Sequence, residues 1–125
     1  MNLYTRAGFS DFVTGLPAVC LAEQWESVVA KVGGKVFALV ALDESGVTFK
    51  VSETSFEGLT AADGIGQAPY FAKRQWVAVE AGRLDEAALA AYLREAHRLI
   101  VKKLTRKAQA ELGIAELVAA GPRRG

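Results

Sequence analysis

The stretch Val28-Val29-Ala30-Lys31-Val32-Gly33-Gly34-Lys35-Val36-Phe37-Ala38-Leu39-Val40-Ala41-Leu42 decides the fold. Two runs rich in β-branched and apolar residues, Val28–Val32 and Lys35–Leu42, flank a Gly-Gly pair, and glycine reaches the positive φ angles of a two-residue hairpin turn without a Cβ clash. Val36–Leu42 is apolar at every position. Such a strand is covered on both faces, or packs one face and meets a ligand or partner with the other. Outward from the hairpin, Asp43-Glu44-Ser45-Gly46 reads as a turn. Val47, Phe49 and Val51 then alternate with Thr48, Lys50 and Ser52 as a half-buried antiparallel strand. Ser52 supplies cap chemistry for a short helix to Thr60, with Phe56 and Leu59 at helical spacing. Residues 61–69 hold Gly64, Gly66 and Pro69 and read as a loop. Gln75–Glu80 alternates Trp76 and Ala78 against Val77 and Val79 as a fourth strand, closed by Gly82.

Helices flank this sheet. Ser10 is the expected N-cap of a first short helix whose stripe is Phe9, Phe12, Val13 and Leu16; it ends near Gly15, because Pro17 has no N–H to continue it. Asp85–Leu104 is the longest helix, with Leu89, Tyr92, Leu93, Ala96, Leu99, Ile100 and Leu104 on one apolar stripe. Asp85 and Glu86 at its start and Lys102 and Lys103 at its end match the helix dipole. A continuation is expected to Leu112 before Gly113, another turn or two over Ile114–Ala120, and a frayed tail over Gly121–Gly125. The expected architecture is one α+β domain over residues 1–113, a small antiparallel sheet packed against helices with a long C-terminal helix. Residues 114–125 form an extension that is partly helical and then frayed.

Composition agrees with a packed domain. The 125 residues are 51% hydrophobic and 23% charged, which excludes collagen-like, low-complexity and wholly disordered chains. The longest apolar run falls far short of the roughly 20 residues a membrane-spanning helix needs, and no basic segment followed by an apolar one opens the chain; a cytoplasmic protein is expected. Cys20 and His97 are each the only residue of their kind. An intramolecular disulfide is therefore impossible, and a Cys/His zinc site within one chain lacks ligands. His97 lies deep in the long helix beside Leu93, Arg94 and Val101, a packing position, and Cys20 has no nucleophile-elbow context. Gly64-Ile65-Gly66-Gln67 lacks the third glycine of a dinucleotide fingerprint and the ending of a P-loop, so it reads as a flexible turn. Asp43-Glu44 and Asp85-Glu86 sit at a turn and a helix start, where carboxylates serve structure. No enzyme, cofactor or metal is expected.

Charge is unevenly placed. Residues 1–72 hold four basic and eight acidic side chains, a net −4; residues 73–125 hold eleven and six, a net +5. Arg94, Arg98 and Lys102 recur every four residues, and Lys103, Arg106 and Lys107 extend the positive stripe. Such a stripe neutralises phosphates with little regard for base sequence, or is simply a solvated helix face. Ala68-Pro69-Tyr70-Phe71-Ala72-Lys73-Arg74-Gln75-Trp76 joins aromatic groups to two cations. It presents stacking surfaces beside phosphate ligands, or is a loop pinned to the core by Tyr70, Phe71 and Trp76.

Here the sequence resembles the MmcQ/YjbR family, small bacterial proteins usually described as DNA-binding, with a CyaY-like, double-wing fold. The resemblance runs from about Phe9 to Leu112. It passes through Leu16-Pro17, Lys31–Leu39, Val47–Val51, Ala68–Trp76 and Ala96–Leu104. The family pattern usually has Asn before Lys-Arg and His before Trp, where this chain has Ala72 and Gln75. The resemblance implies a layer of antiparallel strands with helices packed against it. Two functions are carried forward. One is a non-catalytic DNA-binding module using Lys73, Arg74, Trp76, Arg94, Arg98, Lys102, Lys103, Arg106 and Lys107, flanked by Lys31, Lys35 and Lys50. The other is a protein-interaction or small-ligand module that uses the doubly apolar strand and the aromatic loop.

Overall fold

Ser27–Val32 (β2) and Lys35–Ala41 (β3) pair antiparallel across Gly33-Gly34 in the computed structural model, which describes residues 2–115. Both turn glycines have positive φ, 59° and 80°, as a two-residue hairpin requires. Gly46–Lys50 (β4) and Trp76–Glu80 (β6) extend the sheet on the β3 side, as their alternation predicts.

Two further strands were not expected. Val19–Gln24 (β1) pairs with β2 and forms one edge; Ile65–Gln67 (β5) lies inside the expected 61–69 loop and pairs with β6 at the other edge. Ile65-Gly66-Gln67 is thus strand and not a flexible turn, with Gly64 at φ 82° in the turn just before it. The six-stranded antiparallel sheet has the order β1-β2-β3-β4-β6-β5.

Among the described residues four helices complete the α+β fold. Arg6–Thr14 (α1) starts earlier than Ser10, because the Thr5 hydroxyl accepts from Gly8 N at 3.0 Å; Ser10 lies inside the helix. Ser52 caps Glu53–Thr60 (α2) as expected. Asp85 caps Glu86–Lys103 (α3). The expected continuation to Leu112 is instead a separate helix, Arg106–Glu111 (α4). Leu104 turns extended, Thr105 caps the new start, and the buried Gln109 side chain donates to the Val101 and Leu104 carbonyls left open by the break. The expectations for residues 116–125 lie outside the described residues.

One face of the sheet carries the core. Ala30, Val32, Ala38, Val40, Val47, Phe49, Val77 and Val79 pack with Phe9 and Val13 of α1 and Leu89, Leu93, Ala96, Ile100 and Val101 of α3. A β-bulge at Ala30/Lys31 shifts the register, and Phe37 meets the His97 ring edge-on with centroids 5.3 Å apart. The opposite face carries smaller side chains, and Ser27, Leu39, Ala41, Thr48, Gly66 and Ala78 line a shallow trough there. Val36–Leu42 therefore has one face on the core and the other beside this trough and the 68–75 loop.

Candidate nucleic-acid interface

Antiparallel register sends the end of β2, the start of β3, the end of β4 and the start of β6 to one end of the sheet. The C-terminus of α3 reaches the same end. At Gly33 in the hairpin tip, an added Cβ would lie 2.7 Å from Leu104 Cδ1 and 3.3 Å from Leu112 Cδ1, so hairpin tip, α3 terminus and α4 are in close contact.

Lys50, the last residue of β4, ties in the loop before β6. Its ammonium donates to the Gln75 side-chain carbonyl. The side chain is only 5% exposed. Burial, with the like charge of Lys103 adding to it, lowers its pKa from 10.5 to about 8. Alternation within the strand grouped Lys50 with the outward-facing residues, and the structure corrects this: Lys50 is buried rather than an exposed flank.

The same end of the sheet carries Lys31 and Lys35 on the hairpin, Lys73 two residues before Gln75, Lys102 and Lys103 ending α3, and Arg106 and Lys107 opening α4. Lys35, Lys73, Lys102, Lys103, Arg106 and Lys107 are exposed. Among the described residues no lysine takes part in an ion pair; the four ion pairs all use arginine.

Four of the expected ligands lie elsewhere or are engaged. Arg98 is held bidentately by Glu95 at 3.0 and 2.6 Å, which raises its pKa and interrupts the helix stripe. Arg94 is exposed but lies over the Phe12 ring of α1 at 5.1 Å. Arg74 pairs with Glu57 of α2 at 2.6 Å and lies 5.6 Å from the centroid of Phe56. Trp76 is buried, stacked on Phe71 with centroids 4.4 Å apart, and offers no open ring face.

The exposed aromatics are two that the site expectations did not include. Tyr70 is fully exposed and Trp25 is 63% exposed. With Leu39, Thr48, Ala68, Pro69 and Phe71 they line a cleft of about 580 Å³ over the open sheet face. Trp25 meets Phe71 edge-on at 6.2 Å. Both exposed aromatics have positive φ, 53° for Trp25 and 70° for Tyr70. The sequence signal for Trp25 is an aromatic residue between two strands where a turn former is expected.

Groups with nucleophilic or acid–base chemistry are dispersed. His97 is buried, with Nε2 donating to the Pro17 carbonyl at 2.9 Å, and burial lowers its pKa. Cys20 is exposed on edge strand β1. Among the described residues no cluster of His, Cys, Asp and Glu could hold a metal ion, and no helix is long and apolar enough to cross a membrane.

A six-stranded antiparallel sheet with two helices across one face and a cationic end defines a small α+β protein. The chain belongs to the YjbR family, whose model matches residues 14–99. It is similar in structure to Deinococcus radiodurans protein DR2400, a DUF419-domain protein, with a TM-score of 0.80 and 26% identity over 88% of each chain. A Pseudomonas syringae protein shares the fold with a TM-score of 0.63 at 17% identity, over 76% of this chain and 97% of its own. No curated protein matches the sequence.

Proposed function

We propose that the cationic end of the sheet is a phosphate-backbone docking surface and that the protein is a non-catalytic DNA-binding module. The observation that carries this reading is the placement of Lys31, Lys35, Lys50, Lys73, Lys102, Lys103, Arg106 and Lys107 on elements that meet at one end of the sheet, with no carboxylate paired to any of them among the described residues. Cations held near one another repel, and a polyanion that displaces its counterions relieves that repulsion. The expected mode is backbone-directed, because the cations sit on a hairpin tip, a helix end and a loop rather than along a groove-reading helix. Of the residues expected from sequence, Lys73, Lys102, Lys103, Arg106 and Lys107 carry this reading. Arg74 joins only by leaving Glu57, Arg94 and Arg98 are peripheral, and Trp76 supports the loop from below.

Electrophoretic mobility shift with duplex DNA tests it. Lys102→Glu with Lys103→Glu is expected to abolish a shift seen with the natural chain at low salt, and an unchanged shift overturns the assignment.

The aromatic cleft supports a second reading, a pocket for a flat apolar ligand or an apolar protein segment. Trp25 and Tyr70 are the observation in its favour. It requires binding that is indifferent to salt and lost with Tyr70→Ala, whereas the first reading requires binding indifferent to Tyr70→Ala.

A further inference from the structure

Trp25 and Tyr70 stand at backbone positions that other residues would fill with less strain. Trp25-Glu26 is the two-residue connection between β1 and β2, and both residues have positive φ, 53° and 55°, the geometry that favours Asn-Gly. Pro69 and Tyr70 are the central pair of a turn in which Phe71 N donates to the Ala68 carbonyl at 3.5 Å; Tyr70, at φ 70°, takes the place that favours glycine. Little burial offsets the strain, because Trp25 is 63% exposed and Tyr70 fully exposed. From distant segments of the chain the two rings nonetheless line one cleft of about 580 Å³.

The loop that presents Tyr70 is fixed. The Gln67 amide nitrogen donates to the Ala68 carbonyl at 2.8 Å and to the Phe71 carbonyl at 3.3 Å, and its oxygen accepts from Arg74 N at 2.9 Å. Phe71 stacks on the buried Trp76 and meets Trp25 edge-on, which ties this loop to the β1–β2 turn. Among the described residues no charged side chain lines the cleft. Charge begins just beyond it in the chain: Lys73 lies two residues past Phe71, no more than roughly 7 Å along the backbone. Lys73 is exposed and belongs to none of the ion pairs among the described residues.

We propose that this cleft seats an unpaired base of a single-stranded nucleic acid, with Trp25 and Tyr70 supplying stacking faces and Lys73 meeting the adjoining phosphate. The occupant needs a flat uncharged ring for the cleft and an anion beside it for Lys73. A nucleotide within a single strand has both, whereas an apolar peptide segment has only the first. The inference rests on the reading of the cationic end as a phosphate-backbone docking surface and names the form of nucleic acid that engages the cleft as well. In a duplex the bases are paired and stacked on one another, so duplex affinity stays indifferent to Tyr70.

Fluorescence anisotropy of the full chain with a labelled oligothymidylate of about 12 nucleotides, beside a duplex of the same length, tests it. The natural chain is expected to bind the single strand more tightly than the duplex. Tyr70→Asn and Trp25→Asn each place a turn-forming residue at the positive φ, so each is expected to keep or raise the melting temperature while weakening single-strand binding about tenfold. Loss of a stacking ring leaves the slope of log affinity against log salt unchanged, whereas Lys73→Gln lowers it by about 0.7, the value for one phosphate of a single strand. Single-strand binding that weakens in both Asn variants, with duplex binding unaffected, supports the cleft and the docking surface together. Single-strand binding that weakens in both variants, with no duplex binding at low salt, supports the cleft and overturns the duplex reading. Single-strand and duplex binding that are equal and indifferent to both variants overturn the cleft assignment and leave the docking surface standing.

Discussion

At the end of the sheet that holds the β3–β4 turn and the segment after β6, charged groups are tied into the fold. Glu44 accepts from Arg6 N at 2.9 Å and pairs with the Arg6 side chain, and Asp43 accepts from Ser45 N at 3.0 Å; the Ser45 hydroxyl and then its backbone N–H lower the Asp43 pKa. Glu80 pairs with Arg83, Asp85 caps α3, and Glu86 accepts from Leu3 N at 3.1 Å. At the other end the cations of the hairpin tip, the α3 terminus and α4 have no such partners among the described residues, and Lys50 at the end of β4 is buried without a carboxylate. Carboxylates at the first end satisfy backbone donors and so contribute to stability. Cations at the second end do nothing comparable within the chain, which is why they are read as serving something outside it.

The largest effect expected from breaking this contrast is on DNA affinity. Lys102→Glu with Lys103→Glu is expected to weaken duplex binding by more than about tenfold and to reduce the salt dependence by about 0.9 in slope for each phosphate that is no longer neutralised. Glu80→Gln, at the opposite end, is expected to change it less than about twofold.

Next comes stability. The folded pKa of Lys50 lies below its unfolded value, so the unfolded chain binds more protons between about 8 and 10.5. Stability therefore rises with pH across that window, and the full penalty is present below pH 8. Lys50→Met is expected to raise stability at pH 7 by about 1–3 kcal/mol in urea denaturation, with the gain shrinking as pH climbs toward 10.5. A loss of stability at pH 7 would contradict the description of Lys50 as an uncompensated buried cation.

The hairpin tip offers a smaller effect. Gly33→Ala meets both a positive φ and the Leu104 methyl groups, whereas Gly34→Ala meets only the positive φ, with no atom within 4 Å. Thermal denaturation is expected to show Gly34→Ala costing about 1 kcal/mol and Gly33→Ala more than that. Equal losses would mean that the tip is not seated on α3.

The smallest effect is the titration of His97. Burial lowers its pKa, so stability falls as pH drops below 6.5 and the unfolded chain takes up the proton first. His97→Gln is expected to flatten that dependence, read as urea midpoints at several pH values.

What the sequence made legible was the local chemistry. Gly33-Gly34, the alternation through Val47–Val51 and Trp76–Glu80, and the long apolar stripe of α3 each specify their element within a few residues. Strand β1 was hidden because its turn is built from Trp25 and Glu26, both at positive φ, where no sequence rule places a tryptophan. Strand β5 is three residues long and exists through its pairing with β6. For the site, spacing marked Lys102 and Lys103 but also Arg98, although Glu95 three residues earlier was a readable partner. The burial of Lys50 against Gln75 joins segments 25 residues apart, and no local pattern encodes it.

The most direct test of the central claim is the affinity of the full chain for labelled duplex DNA by fluorescence anisotropy, at several salt concentrations spanning about fourfold. The expected result is binding at low salt that weakens steeply along a linear plot of log affinity against log salt, with a slope corresponding to several phosphates. No binding at the lowest salt, or binding indifferent to salt, would contradict the assignment of the cationic end.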